Sequence, residues 1–316
     1  MSLNPFAADA QIRARIENLA AACGPAVNAA VAERLAARHA IADNLGGVLL
    51  ADEARAIAEE FGLASVEELM LLILPAAQAL ASPPISTFYV GAVGLEAGTG
   101  NLVFGGNVEF PQTHLGFTLH GEGFVFTRAW SRRTSIARIA IGEAHPCAHC
   151  RQYLSEFAST KNLRLIDPLG HGLTMAQLYP WPFDPAYLGE PGADPLTVQW
   201  PGLALDEPHP LAEKLLAAGR RAHTPYGKSP SAVVLTLRDG AVVSGTSIES
   251  VAFNPTIGPL QAAIVDLLAH GYRYGDIESA VLGTVRGGAV DYSRSVAELL
   301  GAIAPQAKLD ILGWIV

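Results

Sequence analysis

Residues Thr118–Leu154 read TLHGEGFVFTRAWSRRTSIARIAIGEAHPCAHCRQYL. Two chemical clusters lie in this stretch, His120-Gly121-Glu122 and Pro146-Cys147-Ala148-His149-Cys150. The first opens a helix that runs to about Ser131. Ile136–Gly142 then reads as a strand, and the Pro-Cys-x-x-Cys turn opens a second helix through Ala158. Cys147 and Cys150, at i and i+3 of a helix start, share a face and sit in the positive end of the helix dipole, which favours thiolates. Pro146 suits the entry to that turn. His120 and Glu122 are two apart and cannot share a helix face, so one can bind a metal while the other reaches over an open position. One imidazole, two thiolates and a free carboxylate meet the needs of a catalytic zinc site whose fourth position takes water.

Working outward, strand–turn–strand signals precede the motif: Phe88–Gly94 and Asn101–Gly106, joined around Gly98-Thr99-Gly100. Residues 7 to about 66 are rich in alanine, leucine, arginine and glutamate at helical spacing. Asp9 caps a predicted helix through Ala22, and Asn28–Ala42 reads as a second. A third starts near Leu50 and ends at Phe61-Gly62. Val66–Ala81 is a further helical stretch that Pro75 kinks or breaks. Eight prolines between 167 and 209 predict an ordered extended linker without regular helices or central strands, its aromatics covered. The expected division is a helical domain over 1–66, a zinc-binding domain over 67–166, the proline-rich linker over 167–209, and a second α/β domain over 210–316.

The chain has 316 residues, 50% of them hydrophobic, and a formal net charge of −9. That permits a large core and argues against a polyanion-binding surface. The densest basic patch, Arg128 with Arg132 and Arg133, is expected on a solvated helix face. Three cysteines, Cys23, Cys147 and Cys150, with one C-x-x-C pair, argue for a reducing compartment rather than a disulfide framework. The N-terminus lacks the pattern of a signal peptide, and the most apolar run, Leu69–Ala81, is too short to span a bilayer. A cytoplasmic protein without membrane or nucleic-acid partners is expected.

The second half repeats the first. Ser231–Leu237, the Asp239-Gly240 turn and Ala241–Gly245 reproduce the strand–turn–strand unit, and Ser247-Ile248-Glu249 stands where Asn107-Val108-Glu109 stood. Counting equal distances from the two glutamates sets Leu260 against His120 and Ala262 against Glu122. The copy has no cysteine and cannot hold this metal site.

The H-x-E…P-C-x-x-C pattern is the signature of zinc-dependent nucleobase deaminases. With FYVGAV (88–93), FGGNVEF (104–110), PCAHCRQ (146–152), TPYGKSPS (224–231) and AFNPTIGPLQAA (252–263), the chain resembles the larger, two-copy homodimeric type of cytidine deaminase over roughly residues 84–305. The resemblance implies a duplicated three-layer α/β/α sandwich of the cytidine-deaminase type, with a small N-terminal helical domain. It implies one Zn2+ per chain on His120, Cys147 and Cys150, with Glu122 as proton shuttle. Asn107 and Glu109 would bind the ribose hydroxyls, Phe88 would pack on the pyrimidine, and backbone groups at Gly121 and His145 would read the base edge. It further implies a homodimer in which the Phe253-Asn254 turn closes the partner's site. The implied reaction turns cytidine and 2′-deoxycytidine into the uridines plus ammonia, a pyrimidine-salvage step.

Two residues depart from the family pattern: Gly121, where alanine or valine is usual, and Gly123, where glutamine is common. They leave open an enzyme for a modified or bulkier nucleoside. A catalytically silent zinc-stabilised binding protein is the alternative from another class, against which the retained Glu122 argues. Plainer roles stand beside the chemical ones: Glu109 as a loop cap, Phe88 as core, and His114, His145 and His149 as flanking or surface residues.

Overall fold

The computed structural model describes residues 8–38, 40–142 and 145–316; the first seven residues of the N-terminal region and His39 lie outside these. α1 (Ala10–Ala36) leads through β1 (Val48–Leu49) and α2 (Ala51–Glu60) to α3 (Val66–Leu72) and α4 (Leu74–Gln78). Asp9 caps α1 as expected, its carboxylate accepting the N–H groups of Gln11 and Ile12. The helix does not stop at Ala22, however. It continues through Pro25, one helix where the sequence predicts two. An interior proline costs roughly 3 kcal/mol, but Ile16, Val27 and Val31 are buried in the same apolar cluster as α3 and α4, and that continuous packing wins. Pro75 does break its helix, at Ile73. Asn28 from α1 bridges the break, donating to Leu72 O at 2.8 Å and accepting from Ala76 N–H at 3.0 Å.

The first sheet is built from β2 (Gly91–Glu96), β3 (Leu102–Gly106), then α5 (Gly121–Ser131), β4 (Ile136–Ile141), α6 (Ala148–Ser155), β5 (Arg164–Ile166) and β6 (Gly172–Thr174). Its strand order is β1-β3-β2-β4-β5-β6, antiparallel except for the β4–β5 pair. The α3–α4 pair covers one face and α5 the other, which makes three layers. The sheet thus recruits β1 from the N-terminal flank and β6 from the proline-rich flank. That flank also forms one helical turn, α7 (Met175–Leu178), and an edge strand of the second sheet, β7 (Ala204–Leu205). The flank is not wholly extended, but it holds no central strand and no α-helix longer than one turn: its strands lie at sheet edges, where one side needs no ladder bonds. Nor are all its aromatics covered, since Trp181 is 91% exposed.

The second unit comprises α8 (Ala212–Gly219), β8 (Ala232–Leu237), β9 (Val242–Thr246), α9 (Pro259–Ala269), β10 (Ile277–Val285), α10 (Ser293–Ile303) and β11 (Lys308–Ile315), in strand order β7-β11-β10-β8-β9. The run β9-β8-β10-β11 repeats β3-β2-β4-β5 of the first sheet, including one parallel pair, β10–β11. α5 and α9 pack on each other, and one apolar core runs through both units.

The duplication is as expected, but its register is not. Val108 bridges Leu119, and Ile248 bridges Ile257. α5 is N-capped by His120 and α9 by Gly258. A Cβ on Gly105 would meet Gly121 O, and one on Gly245 would meet Pro259 O. The loop spans ten positions in the first unit (109 to 119) and eight in the second (249 to 257). Gly258 therefore replaces His120 and Leu260 replaces Glu122, a shift of two from the equal-distance count. Neither residue binds metal, so the second unit still lacks the zinc ligands.

The basic patch is a larger correction. Arg128 is fully buried, donating to Asp266 Oδ1 at 2.9 Å, Asn44 Oδ1 at 2.6 Å and Gly46 O at 3.0 Å. Arg132 pairs with the buried Glu96 at 2.6 Å. Only Arg133 is exposed.

Candidate metal and substrate site

Two helix starts meet beyond the end of β4, beside the start of β2. His120 is the N-cap of α5 and Cys147 the N-cap of α6, with Cys150 in the first turn of α6. His120 Nδ1 lies 3.2 Å from Cys150 Sγ and 3.5 Å from Cys147 Sγ, and all three ligand atoms fall within 4.8 Å of one another. Tetrahedral zinc with its usual bond lengths to nitrogen and sulfur sets an N···S edge of about 3.5 Å, so the donor set fits the ion in kind and spacing. The strand between the clusters brings this about: β4 runs antiparallel to β2 and delivers the chain back to the mouth of α5. Close approach of α5 to β3 needs Gly105, where a Cβ would lie 2.9 Å from Phe124 Cδ1 and 2.9 Å from Val125 Cγ2.

The three ligands share protons among themselves. Hydrogen bonds with Cys150 and with the His120 ring pull the Cys147 thiol down to about 3. Cys150 is pushed well above its ordinary value, because its proton is held against Cys147. A dication takes the place of those shared protons, since thiols ionise to bind it. Glu122, the second residue of α5, is 4% exposed, and burial pushes its carboxyl up. It makes a buried acid beside the ligand cluster rather than a fourth ligand.

Asn107 and Glu109 lie at the end of β3, both nearly buried. Glu109 Oε2 accepts the N–H groups of Ile85 (2.9 Å) and Ser86 (2.8 Å), while Oε1 accepts the Ser86 hydroxyl. Asn107 accepts from Val90 N–H at 2.9 Å and donates to Phe88 O at 2.8 Å. The pair thus holds the 85–90 segment that presents Phe88. Phe88 is 50% exposed, which excludes the reading of it as core. The His145 side chain is anchored by Asp167, Nε2 to Oδ2 at 2.6 Å, and His171 meets the same oxygen at 2.7 Å. His149 is exposed and donates to Asn254 O at 3.1 Å. Within the chain, the Phe253-Asn254 turn thus reaches the Cys147–Cys150 segment. His114 instead stacks on Phe117 and faces the second unit.

Glu156 escaped the sequence reading. Fully buried at the end of α6, it accepts from His223 Nε2 (2.7 Å), Tyr226 OH (2.8 Å) and Val251 N–H (2.7 Å), fixing the turn that meets His149. A glutamate at a helix end gives no signal of such burial. Asp167 was missed likewise; its partners are 4 and 22 residues away in sequence.

The two unusual glycines differ. A Cβ at Gly121 would sit 3.2 Å from Ala92 Cβ, a tight fit, whereas one at Gly123 meets nothing within 4 Å. Gly123→Ala is therefore expected to stabilise the protein by about 0.5–1 kcal/mol through helix propensity. A urea midpoint that is unchanged or lower would contradict this.

Residues 64–164 and 186–296 each match a family model, the cytidine and deoxycytidylate deaminase zinc-binding region. The second match contains no cysteine. The cytidine deaminase of Vibrio atlanticus (strain LGP32) is 33% identical over 273 residues, 86% of this chain and 91% of that protein. The cytidine deaminase of Aliivibrio fischeri (strain ATCC 700601 / ES114) is 35% identical over 249 residues, 78% of this chain and 82% of that protein. A crystal structure of cytidine deaminase from Mycobacterium leprae, 28% identical, covers 36% of this chain and 98% of its own at a TM-score of 0.33.

Proposed function

The chain belongs to the cytidine deaminase family, and from that premise we propose that it hydrolyses cytidine and 2′-deoxycytidine to uridine and 2′-deoxyuridine with release of ammonia. The observation that carries this reading is the convergence of His120, Cys147 and Cys150 beside the buried, non-ligating Glu122. A purely structural zinc site has no use for such an acid.

His120, Cys147 and Cys150 would hold the zinc. When bound, zinc supplies the Lewis acidity that makes water a nucleophile near neutral pH. Glu122 takes a proton from the attacking water as its oxygen bonds to C4 of the ring. It passes that proton to N3, then takes the proton of the new C4 hydroxyl and gives it to the departing amine, so that the C4–N bond breaks to give ammonia and a C4 carbonyl. A carboxyl whose affinity for protons is raised by burial suits both directions of transfer. Asn107 and Glu109 position the sugar in addition to bracing the 85–90 segment; a carboxylate has lone pairs beyond the three donors now on Glu109. Phe88 is exposed enough to lie against the base.

Salvage of free pyrimidine nucleosides in the cytoplasm by a homodimer is the biological setting that fits this reading. The net charge of −9 agrees with a neutral substrate, and among the described residues no helix is long and apolar enough to cross a membrane. Stripping zinc with a chelator is expected to abolish cytidine turnover and to lower the melting temperature by several degrees, both restored by added Zn2+. Undiminished turnover by protein shown to be metal-free would overturn the proposal. A panel of cytidine, deoxycytidine and base-modified nucleosides ranks the substrates.

A further inference from the structure

We propose that the second unit carries a binding site of its own for a neutral nucleoside, held without turnover, in which Glu249 accepts a sugar hydroxyl. The inference rests on the ribose reading of Glu109.

A cavity of about 620 Å³ opens in the second unit, at the place that matches the first unit's substrate site; Glu249, Gly227, Gly258, Leu260, Tyr292 and Val296 are among its walls. Its size lies within the roughly 300–1,000 Å³ of small-molecule pockets. The first unit closes one side through His114 and Phe117, and Gln261 Nε2 donates to Phe117 O at 2.9 Å, so a single chain builds the whole chamber.

The carboxylate cradle survives the duplication while the catalytic half does not. Glu249 Oε2 accepts the N–H groups of Tyr226 (3.0 Å) and Gly227 (2.9 Å), as Glu109 Oε2 accepts those of Ile85 and Ser86. One difference decides the chemistry. Ser86, whose hydroxyl donates to Glu109 Oε1, is replaced by Gly227, and a Cβ there would lie 2.4 Å from Glu249 Oε1. Among the described residues no hydrogen bond reaches that oxygen. Glu249 is 4% exposed as a residue and lines the cavity, so a donor can reach the free oxygen from that side. A ligand hydroxyl entering from the cavity takes the place of the missing serine hydroxyl.

The rest of the wall selects the ligand's other end. Gly258 and Leu260 stand where His120 and Glu122 stand in the first unit, so neither a metal nor a proton shuttle is provided. Leu260, Val296 and Leu299 are buried apolar residues, and Tyr292 adds an aromatic face. A flat, uncharged ring fits against them. A phosphate does not fit beside a buried carboxyl in a chain of net charge −9. The ligand class is therefore a nucleoside rather than a nucleotide.

Equilibrium dialysis of labelled uridine against the full-length, zinc-loaded protein tests this, since uridine is not consumed. Wild type is expected to bind two uridines per chain. Glu249→Gln and the cavity-filling Leu260→Trp should each raise the dissociation constant of one of the two at least tenfold and leave cytidine turnover within about twofold. Glu109→Gln should weaken the other one only. A single uridine per chain in wild type, or two that survive both Glu249→Gln and Leu260→Trp in protein with an unchanged melting curve, overturns the proposal. If Glu109→Gln keeps both while Glu249→Gln loses one, the ribose reading of Glu109 fails and the second site stands.

Discussion

Glu122→Gln is expected to cut cytidine turnover by roughly 10²–10⁴-fold, the usual contribution of a positioned general acid–base, and to leave zinc content unchanged. The substitution conserves shape in a helix whose first ten residues are all buried, so α5 has no packing reason to move. It removes only the capacity to take and return a proton. The three candidate ligands lie on other residues, His120, Cys147 and Cys150. Ultraviolet absorbance follows cytidine loss, and metal analysis of the same sample gives zinc per chain. Turnover equal to wild type across a nucleoside panel would remove Glu122 from the chemistry and leave a metal-stabilised binding protein as the better reading. Loss of zinc along with activity would instead make Glu122 a determinant of the metal centre.

That prediction was within reach of the sequence because its residues obey local rules. His120 and Cys147 fall at helix N-caps that the strand–helix alternation places, and Cys150 follows from i,i+3 geometry. Asp9, Gly62 and Pro75 likewise set their helix ends through their own backbone chemistry. What stayed hidden depends on partners distant in the chain. Pro25 reads as a helix stop until the buried face of α1 is known. The repeat register needs the bridge from Ile248 to Ile257, because a loop shortened by two defeats equal-distance counting. Glu156 and Arg128 look like solvated charges until residues 67 to 138 positions away close over them.

Arg128 is where that blindness has the largest energetic consequence, and Arg128→Met is expected to destabilise the protein by about 3–5 kcal/mol. The guanidinium is wholly buried and joins three parts of the chain: Asn44 and Gly46 ahead of the first sheet, Ser131 at the end of α5, and Asp266 on α9. Burial lowers its pKa to about 10, which still leaves it charged at neutral pH. Methionine fills much of the volume but leaves Asp266, 8% exposed, without its Arg128 cation and Gly46 O without its donor. The size of the effect comes from those stranded groups more than from the intrinsic strength of the pair, because the desolvation of two charges offsets much of their attraction. The double variant Arg128→Met/Asp266→Leu should accordingly recover a substantial part of the loss, with a coupling energy above 1 kcal/mol in a double-mutant cycle. Urea unfolding of the four proteins measures it. A loss under 1 kcal/mol for the single variant, or strict additivity in the double, would mean that α5 and α9 are held together by their apolar packing alone. In that case the ion pair would be a passenger of the duplication rather than the clasp between its two halves.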